Sequence, residues 1–185
     1  MALAYRYVPR WERDLESLEE YYARYDASSE TRALQDFLRD TPRLDWQQWY
    51  GFLDGVSEAL PERFALVDRT SWIKPCFSAV IEWPGDDPAE ERILVIYASR
   101  LEPLYYVYDS TSRRIDGEYQ SPRIRYRLPL DAAPLQAILE REFGRLGYER
   151  LSPEHGKLPV PDVSVGNLEP GQVTLADVLF SDHRW

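Results

Sequence analysis

Between Phe77 and Tyr108 the apolar residues fall into a period of two, and this most narrows what the chain can fold into. Phe77, Ala79, Ile81 and Trp83 alternate with Ser78, Val80 and Glu82, the pattern of a strand with one face buried. Ile93-Leu94-Val95-Ile96-Tyr97-Ala98 is apolar at every position, which suits a central strand covered on both sides. Leu104-Tyr105-Tyr106-Val107-Tyr108 reads as a third strand and Phe64-Ala65-Leu66-Val67 as a fourth. The links Asp86 to Arg92 and Ser99 to Pro103 are too short for a helical crossover, so neighbouring strands run antiparallel. Ile124, Tyr126 and Leu128 alternate with Arg123, Arg125 and Arg127, which predicts an edge strand with its arginines outward.

The flanks have helical spacing instead. Trp11, Leu15, Leu18, Tyr22 and Tyr25 recur at four and three residues, an amphipathic stripe with Glu12, Glu16, Glu19 and Glu20 on or beside the other face. Ser28 or Ser29 can cap a second helix carrying Leu34, Phe37 and Leu38, ended by Pro42. Asp45 caps a third, with Trp46, Trp49, Tyr50, Leu53, Val56 and Leu60 expected inward; Gly51 and Gly55 each weaken it by ~1 kcal/mol relative to Ala unless close packing explains them. Asp131 is expected to cap a helix from Ala132 to Leu146 buried through Leu135, Ile138, Leu139, Phe143 and Leu146, with Gly147 as its stop. The proline-rich stretch from Ser152 to Pro170 reads as an extended connection in which Val160, Val163 and Val165 can pair with the sheet. Thr174 caps a final short turn. The fold class expected is α+β: N-terminal helices packed on an antiparallel sheet of about four to six strands. The 185 residues form one domain, divided as 1–60 helical, 61–130 sheet, and 131–185 helix, connection and terminal turn.

Charge and composition limit the partners. The chain carries 22 basic and 32 acidic residues, a net charge of −10, which repels a phosphate backbone and argues against general nucleic-acid binding. Aromatic residues make up 14%, enough apolar mass to exclude a disordered chain. No apolar run approaches the ~20 residues that span a bilayer, and no signal-peptide pattern opens the chain. The expectation is a cytoplasmic protein without membrane partners.

Catalytic signatures are missing. The single Cys76 permits no intramolecular disulfide or thiolate zinc cluster. His155 and His183 have no metal-ligand spacing around them, and no phosphate-binding glycine loop, serine elbow or kinase motif occurs. Paired acids such as Asp86-Asp87 and Glu90-Glu91 arise freely among 32 acidic residues and read as solvated surface. No catalytic residue, metal or cofactor is assigned. Cys76, directly before an apolar strand, reads as a small buried hydrophobe.

Three surface features remain. The helical part holds 7 basic and 12 acidic residues over positions 1–60, a potential lure for a basic partner. The aromatic surplus includes Trp46 near Trp49, and Tyr105 beside Tyr106; strand neighbours face opposite ways, so one of that pair is a candidate for exposure. Arg123, Arg125 and Arg127 give a basic edge for an anion or RNA.

The tail Val173-Thr174-Leu175-Ala176-Asp177-Val178-Leu179-Phe180-Ser181-Asp182, with Val160-Pro161-Asp162-Val163 upstream, resembles the closing segment of some immunity proteins of bacterial polymorphic toxin systems. It departs from that pattern at Val178, where Cys is expected. The resemblance implies a non-enzymatic protein that binds a cognate toxin and occludes its active site. The toxin would be basic, since many toxins of these systems act on nucleic acid. Glu12, Glu16, Glu19, Glu20 and Asp26 would then attract it, and Trp46 and Tyr105 would fill its pockets. The tail also makes structural sense as a capped turn whose Leu179 and Phe180 plug the core. The rival readings are an adaptor or structural protein of a bacterial or phage assembly, an enzyme on an unrecognised scaffold using Cys76 with His155 or a carboxylate cluster, and an RNA binder using the three arginines.

Overall fold

A computed structural model describes residues 36, 44–70, 74–83, 87, 89–115, 118–161, 168 and 171–180. Apart from Asp36, which is helical, the two helices expected before Pro42 lie outside the described residues, as do Glu12, Glu16, Glu19, Glu20 and Asp26.

The period-two segments form the strands β1 (Ala65–Asp68), β2 (Cys76–Trp83), β3 (Glu90–Ser99) and β4 (Leu104–Ile115), paired antiparallel in sequence order. The register sets Val80 opposite Val95 and Val95 opposite Tyr108, so these three share one face. Ile81 opposite Leu94 belongs to the other. Three short strands line the outer edge of β4: β5 (Glu118–Tyr119), β6 (Arg123–Arg125) and β7 (Glu149–Arg150). The fold is α+β. Its sheet is mixed rather than wholly antiparallel, because β7 returns beside β4 in the same direction.

Helix α1 (Trp46–Ala59) starts at a capping box. The Gln48 amide donates to Asp45 Oδ1 at 2.7 Å, and the Asp45 amide donates to Gln48 Oε1 at 3.0 Å. Its buried side chains are Trp49, Phe52 and Val56. Trp46 and Tyr50, expected inward, face solvent instead: the buried stripe follows 49, 52 and 56, and this rotation carries 46 and 50 to its margin. Helix α2 (Ala133–Arg145) buries Leu135, Leu139 and Phe143 as expected and closes at Gly147, whose φ of +73° suits glycine. Asp131 does not cap it. That residue sits in a 3₁₀ turn (Leu130–Ala132), and its carboxylate is engaged elsewhere.

Both helices cover the sheet face carrying Phe77, Ala79, Ile81, Leu94, Ile96, Tyr105 and Val107. Trp49 stacks on Phe77 at 5.2 Å between centroids, and Phe143 stacks on Tyr105 at 4.0 Å and meets Phe52 at 4.2 Å. Tyr105, a candidate partner-binding residue from the sequence, is therefore corrected to a core residue at 3% exposure. Tyr106 is buried too, on the opposite face against Phe180.

After β7 the chain forms α3 (Pro153–Gly156), capped by Ser152, rather than a wholly extended connection. Val160 pairs with Val173 instead of with the sheet; Val163 and Val165 lie outside the described residues. Helix α4 (Leu175–Phe180) is held at its start by Thr174, whose amide and hydroxyl donate to Asp177 Oδ2 at 2.7 and 2.6 Å. It drives Val178, Leu179 and Phe180 into the second face. The expected core plug is observed.

The two helical glycines differ. A Cβ on Gly51 meets nothing within 4 Å, whereas one on Gly55 would stand 2.8 Å from Glu142 Oε2. Glu142 is buried under α1 and is held by Arg141 and Arg145, each at 2.7 Å. Burial raises the Glu142 pKa, but the two guanidinium hydrogen bonds outweigh it and hold the carboxyl below its ordinary value. Gly51→Ala is expected to stabilise the fold by about 1 kcal/mol in urea unfolding. Gly55→Ala is expected to give no such gain, because its methyl must displace the ion-paired carboxylate.

The core tyrosines set an alkaline limit. Burial raises the phenols of Tyr105 and Tyr106 from 10.0 to about 12. Their raised folded pKa contributes stability that is present below pH 10 and lost as pH climbs toward 12. Urea midpoints are expected to fall over that window, and Tyr106→Phe to make the fall shallower.

Candidate functional site

The exposed side of α1 is built from residues four apart. Trp46, Tyr50, Asp54 and Glu58 rise along it as a single solvent-facing row. Trp46 is 38% and Tyr50 52% exposed, and their rings lie 5.9 Å apart at 35°. Trp46 is also fixed edge-on against Phe77 at 4.9 Å, so the pair is a rigid platform rather than a loose side chain. The helix contains no lysine or arginine, and neither Asp54 nor Glu58 forms an ion pair among the described residues. Of the sequence-derived contact residues, Trp46 alone is both described and exposed; the spacing of Tyr50 points to the core, and its exposure has no local sequence signal.

A second feature lies on the opposite sheet face. Beyond α4, a groove of about 450 Å³ runs over Val80, Ile93, Val95, Tyr97, Tyr108 and Ile124. Arg69 and Lys74 stand among its lining residues, as do Glu82 and Glu91. Val80, Ile93, Tyr97 and Ile124 remain half-buried there.

The arginine edge is corrected. Strand β6 stops at Arg125, and Arg125 turns in rather than out. Its Nε donates to Asp109 Oδ2 at 2.7 Å, while Arg92 Nε donates to Asp109 Oδ1 at 2.6 Å. The Asp109 side chain is wholly buried between them. Arg92 also grips Asp131 at 2.7 and 3.2 Å and lies 3.8 Å over the Trp83 ring, a cation–π contact. The hydrogen bonds from Arg92 hold the Asp131 carboxyl below its ordinary pKa. Arg127 pairs with Glu154 at 3.1 Å. Two of the three arginines read as a basic edge thus already carry carboxylate partners.

Cys76 is fully buried, and its thiol donates to the Phe180 carbonyl oxygen beneath α4. His155 is exposed on α3, and His183 lies outside the described residues. Arg100 lies over Phe77 at 5.3 Å; burial lowers its pKa, and its Nε has no acceptor among the described residues. No group of three histidine, cysteine or acidic side chains that could hold a metal ion occurs among the described residues. Among them, too, no helix is long and apolar enough to cross a membrane.

No protein-family model, curated protein or solved structure matches the chain.

The buried carboxylate makes its own prediction. Asp109→Ala removes the buried carboxylate that Arg92 and Arg125 share, and breaking such a buried pair costs about 3–5 kcal/mol. Urea unfolding is expected to show a loss of that order. Glu154→Ala, which removes an exposed pair with Arg127, is expected to change stability by less than about 1 kcal/mol.

Proposed function

We propose that this chain is a non-enzymatic immunity protein that binds a basic toxin domain and occludes its active site, with the outer face of α1 in the contact. The observation that carries the reading is the exposed Trp46–Tyr50 pair continuing into Asp54 and Glu58 on a helix without cations. A partly desolvated aromatic pair can seat in a partner's pocket, and a cation-free acidic row beside it steers a basic surface into register. The net charge of −10 adds long-range attraction of the same sign. The acids expected before this helix, Glu12, Glu16, Glu19, Glu20 and Asp26, would extend the same field.

Other facts support this reading over its rivals. Cys76 is sealed beneath Phe180, which disfavours a nucleophile that substrate must reach. Arg125 and Arg127 are engaged in ion pairs, which weakens an RNA-binding edge. The resemblance in the tail concerns residues that cap α4 and fill the core, so it supports kinship in how the fold closes, not a location for the interface. An immunity protein of this kind acts in the cytoplasm.

The test begins with capture of the partner on the tagged full-length chain and identification by mass spectrometry. The expected partner is basic, toxic when expressed alone and harmless beside this protein. Trp46→Ala is then expected to weaken the complex by about 30-fold or more, corresponding to about 2 kcal/mol. Asp54→Lys with Glu58→Lys is expected to slow association most strongly at low salt. Recovery of assembly components with no toxicity of their own would overturn the proposal in favour of an adaptor.

A further inference from the structure

Arg100 breaks the pattern that the other enclosed arginines follow. Arg92 and Arg125 share Asp109, Arg141 and Arg145 share Glu142, and the least exposed of these four, Arg92, reaches Asp131 as well. Arg100 reaches no carboxylate among the described residues, although it is half-buried and its Nε is enclosed without an acceptor. Burial pulls its pKa below the ordinary value, whereas hydrogen bonds to Asp131 and Asp109 hold that of Arg92 above it. Among the described residues only the Cys76 thiol opposes the shift, and its hydrogen already goes to the Phe180 carbonyl oxygen. A desolvated cation without a counter-ion is costly, because no attraction offsets the lost hydration.

The guanidinium is nevertheless firmly mounted. The Arg100 amide donates to the Pro75 carbonyl oxygen at 2.8 Å, at the end of the sheet where Cys76 lies opposite Ser99. Ser99 Oγ accepts from the amides of Leu101 and Glu102 at 3.1 and 3.3 Å, and the Ser99 carbonyl oxygen accepts from the Tyr148 hydroxyl at 2.7 Å. The guanidinium carbon lies 5.3 Å from the centroid of the Phe77 ring. Trp46 stands edge-on against that same ring at 4.9 Å. The Trp46 ring and the Arg100 guanidinium are therefore no more than about 10 Å apart, within the footprint of one protein contact.

We propose that Arg100 is a carboxylate-binding position at the margin of the α1 surface, where one acidic side chain of an otherwise basic partner seats on the guanidinium. Two facts favour a carboxylate over a phosphate. The planar fork of arginine matches the two oxygens of a carboxylate, and a chain of net charge −10 repels a doubly charged group more strongly than a singly charged one. The acids of α1 draw in a basic surface, and the guanidinium without a counter-ion then selects the docking register in which an acid is presented to it. That the acid belongs to a toxin rests on the immunity reading; that Arg100 takes a carboxylate does not.

Acetate serves as the probe on the full-length chain without any partner. The Arg100 Nε–H resonance, assigned by its absence in Arg100→Lys, is expected to shift saturably with acetate and to stay in place with chloride at equal ionic strength. Arg100→Met keeps an apolar stem on Phe77 and removes the charge, so the urea midpoint is expected to rise or stay unchanged. A midpoint that falls as far as that of Asp109→Ala reveals an internal counter-ion and overturns the proposal. So does the absence of an acetate response, or tighter binding of inorganic phosphate than of acetate. In the complex, Arg100→Met is expected to weaken affinity by about tenfold or more. Arg113→Met, which removes an exposed cation already paired with Asp87, is expected to change it by less than about twofold. Alanine substitution of the partner's acids is expected to find one whose loss adds nothing to that of Arg100→Met. Affinity lost with Trp46→Ala but kept with Arg100→Met overturns the carboxylate site and leaves the α1 contact standing. A saturable acetate response in a chain that captures no toxic partner supports the site and counts against the immunity reading.

Discussion

Tyr105 and Tyr106 are adjacent, and both are buried. Successive strand residues point to opposite faces, so β4 requires a packing layer on each side of the sheet. One layer is complete: Phe143 lies parallel to Tyr105, reaches Phe52 and Tyr148, and so ties α2 to the sheet, to α1 and to the turn before β7. On the other face, among the described residues, α4 supplies the covering element and stacks Phe180 on Tyr106.

The interior also holds charge, arranged by one rule. Asp109 and Glu142 are each buried and each lie between two arginines. A carboxylate in such a place is costly unless both oxygens are satisfied, and a bidentate arrangement of guanidinium groups satisfies them. These clusters fix relationships that apolar packing leaves loose. Arg92 links β3 to β4 through Asp109 and to the turn before α2 through Asp131. Glu142 sets how closely α1 approaches α2, and at Gly55 that approach leaves no room for a side chain.

Local period made much of this legible. Alternation located β1 to β4, the short links gave their antiparallel order, 3.6-residue spacing located α2, and Thr174 marked the start of α4. The features that escaped depend on contacts between distant positions. Asp131 looks like a cap in sequence, yet its partner is Arg92, 39 residues away. Arg125 alternates like an edge residue, yet a buried acid on the neighbouring strand turns it inward. On α1 the apolar residues span too wide an arc for spacing alone to choose a face. Spacing places Trp46 and Tyr50 inward and leaves out Phe52, and the position of Phe77 and Phe143 decides the rotation. The candidate site was correspondingly faint: an interaction surface needs exposure and charge balance, neither of which has a sequence signature.

The same ion pairs determine which charge the surface presents. Arg92, Arg113, Arg125, Arg127, Arg141 and Arg145 each reach a carboxylate, so these six cations are neutralised where they stand. Asp54 and Glu58 have no such partner among the described residues. With a net charge of −10 and these six arginines already paired, such exposed acids stand toward solvent. Where that excess adjoins a rigid aromatic pair, as on α1, attraction and a pocket-filling group coincide on one helix face. That coincidence, rather than the total charge, distinguishes a docking surface from an ordinary solvated one, because steering alone speeds encounter without holding the complex together.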